Sequence, residues 1–192
     1  SGVIAEIAKH PVKTISYIEP DKKLIETVRE NIPQSALYGL EDPRLKIYHQ
    51  DARSFLNKAR NKYDIIILNI GDPSSLQANR FYTVEFFKNV LPRLKPAGIF
   101  CLAFSSKEDI LAAQMLKYNS SLYQSAKTVF KGIEIIPGER LILLCSQDSG
   151  FRINSDELIS RFSQRNIHTN YFVPEYLRIK MLRQGYIRER LE

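Results

Sequence analysis

The stretch that most constrains the fold is Tyr63 to Tyr82, YDIIILNIGDPSSLQANRFY. It opens on an unbroken apolar run, Ile65 to Leu68, set between Asp64 and Asn69. A short β-branched run of this kind reads as a strand buried on both faces. The run stops at Asn69 and turns through Gly71-Asp72-Pro73-Ser74-Ser75, which cannot continue a strand. Polar groups just past the carboxyl end of a buried parallel strand stand where open α/β sheets bind ligands. This places Asn69 and Asp72 on the rim of any active site.

At 192 residues and 44% hydrophobic content the chain can build one sizeable core, or a core with a small appendage. No apolar stretch approaches the length of a bilayer-spanning helix, and no signal peptide is visible. Cys101 and Cys145 each lie in an apolar run and read as reduced core residues, which suits a reducing, cytoplasmic setting. The formal charge of +7 has no Lys/Arg block interleaved with aromatics and no recognisable nucleic-acid module. It reads as solvated surface charge, with no nucleic-acid partner expected. Arg178 to Arg190 is its most basic part.

Strands and helices alternate along the chain. Ser1 to Lys9 reads as the front of a helix, Thr14 to Glu19 as a strand, and Lys22 to Asn31 as a helix capped by Asp21. Arg44 to His49 is a second strand and Ala52 to Ala59 a short helix with Phe55 and Leu56 inward. After the central strand, Asp64 to Asn69, a helix runs from Thr83 towards Leu94, with Pro92 ending or kinking it early. Lys95 to Gly98 reads as a turn and Ile99 to Phe104 as a strand. Lys107 to Phe130 is a long helix with Leu111, Met115, Tyr118, Leu122, Ala126 and Val129 on one face. Gly132 to Ile136 and Arg140 to Cys145 flank Pro137-Gly138 as an antiparallel hairpin closing the sheet edge. Helices over Ser155 to Arg165, capped by Ser155, and over Pro174 to Arg183 complete the chain. The alternation predicts an α/β, doubly wound, mostly parallel sheet over residues 1–147, followed by a small helical extension over 148–192.

Glu19 ends its strand, where nucleotide-binding α/β folds use an acidic residue to accept from both ribose hydroxyls; the plain alternative is an exposed glutamate. Asp51 ends the next strand and either accepts from an adenine amino group or caps the helix that follows. Glu19, Asp51 and Asn69 thus end three successive strands, and the constellation says more than any one of them. No phosphate-cradling glycine loop is present beyond Ser1-Gly2. His10, His49 and His168 are not spaced as metal ligands, so no metal is expected. Tyr82 either lines the pocket or packs beneath the loop, with packing favoured.

The order of SGVIAEIAKHP, ISYIEPDKKLIETVREN, HQDARSFL, YDIIILNIGDP, FYTVEFFKNVLPRLKPAGIF and PGERLILLCS resembles the spermidine/spermine synthases. The DPSS…NRFYT form of the central loop is similar to their bacterial membrane-associated branch. The resemblance covers about residues 1–146. It implies a Rossmann-like, methyltransferase-type fold and aminopropyl transfer from decarboxylated S-adenosylmethionine to a polyamine. It implies that Glu19 holds the ribose, that Asp51-Ala52 contacts the adenine, and that Gly2 ends the glycine loop. Asn69 stands where the family has its catalytic aspartate, and Asp72 on the second loop aspartate, which faces the amine.

The departures are on the amine side. Asn69 is neutral and cannot serve as a general base. The family's acceptor-binding tyrosine is replaced by Ile135 or Ile136. The glycine loop, its strand and a small N-terminal β-domain are missing, which suggests a piece of a longer, membrane-associated protein. Without that first strand, the Glu19 strand must pair directly with the Tyr63–Asn69 strand, or another segment or another chain must fill the gap. The sequence leaves a homodimer open. Two other readings stay beside transfer: an S-adenosylmethionine-dependent methyltransferase, and a non-catalytic nucleotide-binding or interaction domain.

Overall fold

The computed structural model describes residues 2–33, 37, 39–106, 113–169 and 172–192. In chain order the elements are α1 (Val3–Ala8), β1 (Ile15–Ile18), α2 (Lys22–Asn31), β2 (Leu45–Tyr48), α3 (Ala52–Lys58) and β3 (Tyr63–Leu68). Then follow α4 (Leu76–Asn79), α5 (Val84–Val90), a 3-10 turn (Leu91–Arg93), β4 (Leu94–Ser105), α6 (Ala113–Lys127), β5 (Gly132–Ile136) and β6 (Arg140–Ser146). The last elements are α7 (Ser155–Gln164), α8 (Tyr176–Leu182) and α9 (Gln184–Leu191). The α/β class and the strand–helix alternation hold. The chain divides into two compact units: Ser1–Lys58 with Ser163–His168, and Ala59–Phe162 with Thr169–Glu192.

In the first unit β1 and β2 pair in parallel, Ile15 opposite Leu45 through Ile18 opposite Tyr48. Asp21 caps α2 by accepting from the Leu24 amide, and Ile25 turns inward. The turn after α1 is fastened to the start of β2 by Arg44. Its guanidinium donates to the carbonyls of Ala8 (2.6 Å), His10 (3.1 Å) and Val12 (3.2 Å) and forks onto Asp42. That fork holds the Asp42 carboxyl down at about 2. Buried apolar residues here are Ile4, Ile15, Ile25, Leu37, Leu56 and Ile167.

The second unit is built on a four-stranded sheet of order β3-β4-β6-β5. β4 pairs in parallel with β3 and antiparallel with β6, and so sits between partners on both edges. Phe100, Leu102 and Phe104, two residues apart, share one face of it and are fully buried. Phe87, Phe100 and Phe130 pack with ring centroids 5.6–6.1 Å apart. β5 and β6 form the expected hairpin at the sheet edge. The buried carboxylate of Glu134 on β5 accepts from Gln184 (2.7 Å) and Arg188 (3.2 Å) and so seats α9.

Several sequence expectations are corrected. Of the alternatives left open for the place of the first strand, direct pairing of β1 with β3 is absent among the described residues, whose strands form a two-stranded and a four-stranded sheet. β3 is not buried on both faces, because Ile65 is 56% and Ile67 41% exposed. Alternation puts Ile66 and Leu68 on the other, better covered face. The turn at 95–98 lies inside β4 as a bulge: Tyr63 pairs with Leu94 and Ile65 with Ile99, so β4 advances further than β3 between the two pairs. Gly98 permits it, since a Cβ there would stand 2.9 Å from the Tyr63 carbonyl oxygen. Pro92 ends the helix early, as expected, and the α5 helix yields to the 3-10 turn at Leu91. On α6 the buried face is Asn119, Leu122, Tyr123 and Ala126 rather than one carrying Tyr118. The front of that helix, with Leu111, lies outside the described residues. The cap of α7 is Asn154, whose Oδ1 accepts from Asp156 and Glu157, not Ser155. α9 is an element beyond those that the sequence predicts.

Candidate functional site

Glu19 follows directly on β1, and Asp51 stands three residues past the end of β2, its paired, in-register neighbour. Ile18 stands opposite Tyr48, and the Glu19 amide donates to the Tyr48 carbonyl at 3.0 Å. Parallel pairing brings both carboxyl ends to the same edge of the β1-β2 sheet. The Glu19 carboxylate is positioned by its own chain. Tyr17, two residues back on the same face, donates to Oε2 at 3.2 Å, and the Asp21 amide donates to Oε1 at 3.0 Å. Burial, and then the neighbouring Glu19 charge, pushes the Tyr17 phenol up, which keeps it a donor. A carboxylate has about four acceptor sites. Two protein donors on Glu19 leave room for a ligand diol. The His49 ring reaches the Glu19 carbonyl with Nδ1 at 3.0 Å.

Asp51 does cap α3: its Oδ1 accepts from the Ser54 amide at 3.1 Å. Ala52 opens that helix and is half-buried. Gly2 stands at the head of α1 with φ −67°, and a Cβ there would meet open space. No backbone constraint at Gly2 therefore requires glycine.

In the second unit Asn69 and Asp72 follow β3. Asn69 is exposed and Asp72 half-buried. The Asp72 Oδ1 accepts from the Ser105 amide at 2.8 Å, so the loop is tied to the end of β4. Gly71 has φ 78°, a left-handed conformation that favours glycine and lets the chain double back. Tyr82, almost fully buried, donates to the Gly71 carbonyl and lies 3.5 Å from the Ala103 carbonyl oxygen. It packs beneath the loop, as the sequence favours. Burial first, then the Asp72 charge, pushes its hydroxyl up to about 12.

Two further residues reach this place from far along the chain. Arg140, at the start of β6, donates through Nη2 to the Ala103 carbonyl at 2.8 Å. Tyr118 on α6 is raised by burial and then by Asp72, whose charge it feels. Neither carries a local signal in the sequence. Helical spacing puts Tyr118 on the core face, and its partial exposure, 37%, is visible only once α6 is placed. Ile135, one of the two residues at the acceptor tyrosine's place, is fully buried and offers no polar group.

Cys101 and Cys145 are free thiols; burial raises Cys101 to about 11 and pushes Cys145 higher still. Among the described residues no group of His, Cys, Asp or Glu is arranged to hold a metal ion, and no helix is long and apolar enough to cross a membrane.

The spermine/spermidine synthase domain model matches residues 1–137. A polyamine aminopropyltransferase of Moorella thermoacetica is 32% identical over 143 residues, 74% of this chain and 46% of its own length. That of Korarchaeum cryptofilum is 40% identical over 98 residues, 51% of this chain and 30% of its own. The chain thus spans less than half the length of these relatives. Spermidine synthase from Thermotoga maritima superposes with TM-score 0.75 at 20% identity, over 99% of this chain and 64% of that one. A spermidine synthase in complex with the transition-state analogue AdoDATO gives TM-score 0.76 at 21% identity. Human methyltransferase-like protein 13, in complex with SAH, gives 0.60 at 20% identity. The fold is accordingly methyltransferase-like. By the reach of the domain match and the order of its motifs, the chain belongs to the spermine/spermidine synthase family.

Proposed function

We propose that this spermidine-synthase-like domain binds the adenosyl part of decarboxylated S-adenosylmethionine and presents it for aminopropyl transfer to a polyamine amine. The observation that carries this reading is that Glu19 and Asp51 both lie just past the carboxyl ends of two in-register parallel strands. Glu19 accepts from the ribose hydroxyls, and Asp51 with Ala52 meets the adenine edge. A carboxylate beside a diol gives two charge-assisted hydrogen bonds, which fix the sugar's orientation. Asp72 faces the acceptor ammonium. When bound, the sulfonium supplies the electrophilic carbon; the protein's own work is to hold the acceptor amine in line with it. Asn69 can accept one hydrogen bond from that amine but removes no proton.

Calorimetric titration with methylthioadenosine, S-adenosylhomocysteine and putrescine tests the reading. Binding of methylthioadenosine with putrescine supports transfer. Preferred binding of S-adenosylhomocysteine turns the reading towards a methyltransferase. The neutral Asn69 favours one second reading, a nucleoside-binding domain without transfer. Asn69→Asp separates the two: transfer that appears or rises marks an otherwise intact amine site.

A further inference from the structure

We propose that the end of β4 in the second unit selects an amine that also carries a carboxylate, with Asp72 taking the ammonium and Arg140 the carboxylate. The proposal rests on the reading of Asp72 as the amine-side residue and deepens it by naming the substrate class. Three side chains converge on one short backbone segment. Asp72 accepts from the Ser105 amide at 2.8 Å, Arg140 donates to the Ala103 carbonyl at 2.8 Å, and the Tyr82 hydroxyl is 3.5 Å from that same carbonyl oxygen. Ala103 and Ser105 are two residues apart in a strand and present their backbone groups to the same edge. An anion and a cation are therefore each anchored by one backbone bond along the same edge of β4. Tyr82 stands within the fields of both Asp72 and Arg140.

The charges decide the ligand. A guanidinium stays protonated at any working pH, so Arg140 is a permanent cation here. It is exposed and forms no ion pair with a carboxylate among the described residues. One Nη2 bond fixes the group and leaves its other donors in the fork geometry that matches a carboxylate. Asn69 contributes no negative charge. Putrescine brings two ammonium groups and nothing for the guanidinium to bind, whereas ornithine keeps both ammonium groups and adds a carboxylate for it. An amine with a carboxylate on its carbon chain satisfies both. Ornithine and putrescine differ only by that carboxylate, which makes them the matched pair of probes.

The experiment titrates the full chain by calorimetry with L-ornithine and with putrescine, each in the presence and absence of methylthioadenosine. We expect ornithine to bind about tenfold or more tighter than putrescine, in line with one charge-assisted contact. Arg140→Gln should erase the preference, and Arg140→Lys should keep part of it, because charge survives and the fork does not. Melting temperatures of both variants within a few degrees of the parent, roughly the range of a surface change, show that the fold is intact. Putrescine binding as well as ornithine, a preference that survives Arg140→Gln in the folded protein, or no binding of either amine each overturns the proposal. Methylthioadenosine titrated alone reports separately on the nucleoside reading: if it fails while ornithine is still preferred, that reading falls and this one stands.

Discussion

The two sheet edges that end in polar residues are built on different foundations. In the first unit two carboxylates, Glu19 and Asp51, follow paired strands over a core whose buried residues are aliphatic. In the second unit the corresponding loop carries a neutral Asn69, is tied down through Asp72, Gly71 and Tyr82, and stands on a fully buried aromatic layer. The first edge has in Glu19 an anchored anion with two protein donors. The second has committed one Asp72 oxygen and the Tyr82 hydroxyl to its own backbone, and it has gained a cation in Arg140. Similar position in a fold thus does not mean similar freedom to bind. What a strand-end carboxylate can do for a ligand depends on what it already does for the chain.

The largest expected effect separates the two foundations. Phe100→Ala removes a fully buried ring that packs against Phe86, Phe87 and Phe130. Loss of such a ring costs about 3–5 kcal/mol. Denaturant unfolding with hydrogen exchange should show that cost concentrated in β3 to β6, with β1 and β2 exchanging first in the parent protein. Equal protection of β1 and β4 in the parent would break the comparison. Next in size is Glu19→Ala. Loss of hydrogen bonds to a charged acceptor costs about 1.5–3 kcal/mol, so methylthioadenosine affinity should fall by roughly tenfold to a hundredfold. Asp72→Ala should leave that affinity near the parent value. An Asp72 variant that loses nucleoside binding as severely as the Glu19 variant would erase the distinction between the edges.

The first edge is readable in the sequence because everything it needs is local. Glu19, Tyr17 and Asp21 lie within five residues, and the strand–cap–helix grammar at Asp21 and Asp51 is a short-range signal. The hairpin and the early end of α5 at Pro92 are legible for the same reason. The second edge is only half legible. Asn69 and Asp72 show in the loop, but Tyr118 and Arg140 arrive from α6 and β6, and only tertiary pairing brings them there. The apolar run Ile65 to Leu68 misleads because hydrophobicity reports what a strand can bury, not which faces are covered. The bulge at 95–98 is hidden because Lys-Pro-Ala-Gly has turn composition, and whether a turn interrupts a strand or lies within it is set by the partner's register.

pH offers a third handle, since each unit contains a strongly shifted group in a hydrogen bond that ties a loop or turn. In the first, Asp42 is held at about 2 by Arg44, below its ordinary value of 3.8. A depressed carboxyl contributes stability that is present above the unfolded value and is lost as pH falls through the folded one. Acid titration from pH 4 to 2, watched by amide exchange, should therefore loosen β1 and β2 before β4 and β6, about two pH units being enough to span the shift. Arg44→Gln should narrow that window, because the guanidinium is gone while the backbone amide of residue 44 still donates to the Asp42 carboxylate. Loosening of β4 ahead of β1 in acid would reverse the assignment.

The smallest effect belongs to the second unit and to alkali. Tyr82 has its hydroxyl pushed up to about 12 from the ordinary 10.0, by burial and by Asp72. A raised phenol favours the neutral form in the folded state. Its contribution is complete below pH 10 and is lost as pH rises from there towards 12. The hydroxyl's native task is to hold the Gly71 carbonyl, and a neutral hydrogen bond of that kind contributes about 0.5–1.5 kcal/mol. Tyr82→Phe should cost about that much at neutral pH, the ring itself remaining packed. It should also flatten the loss of stability between pH 10 and 12, which ultraviolet absorbance of phenolate with parallel melting curves would follow. A Tyr82→Phe variant with the parent's alkaline slope would mean that Tyr82 is not the group whose ionisation loosens the loop. The anchored state of the second edge would then rest on the Asp72–Ser105 bond alone.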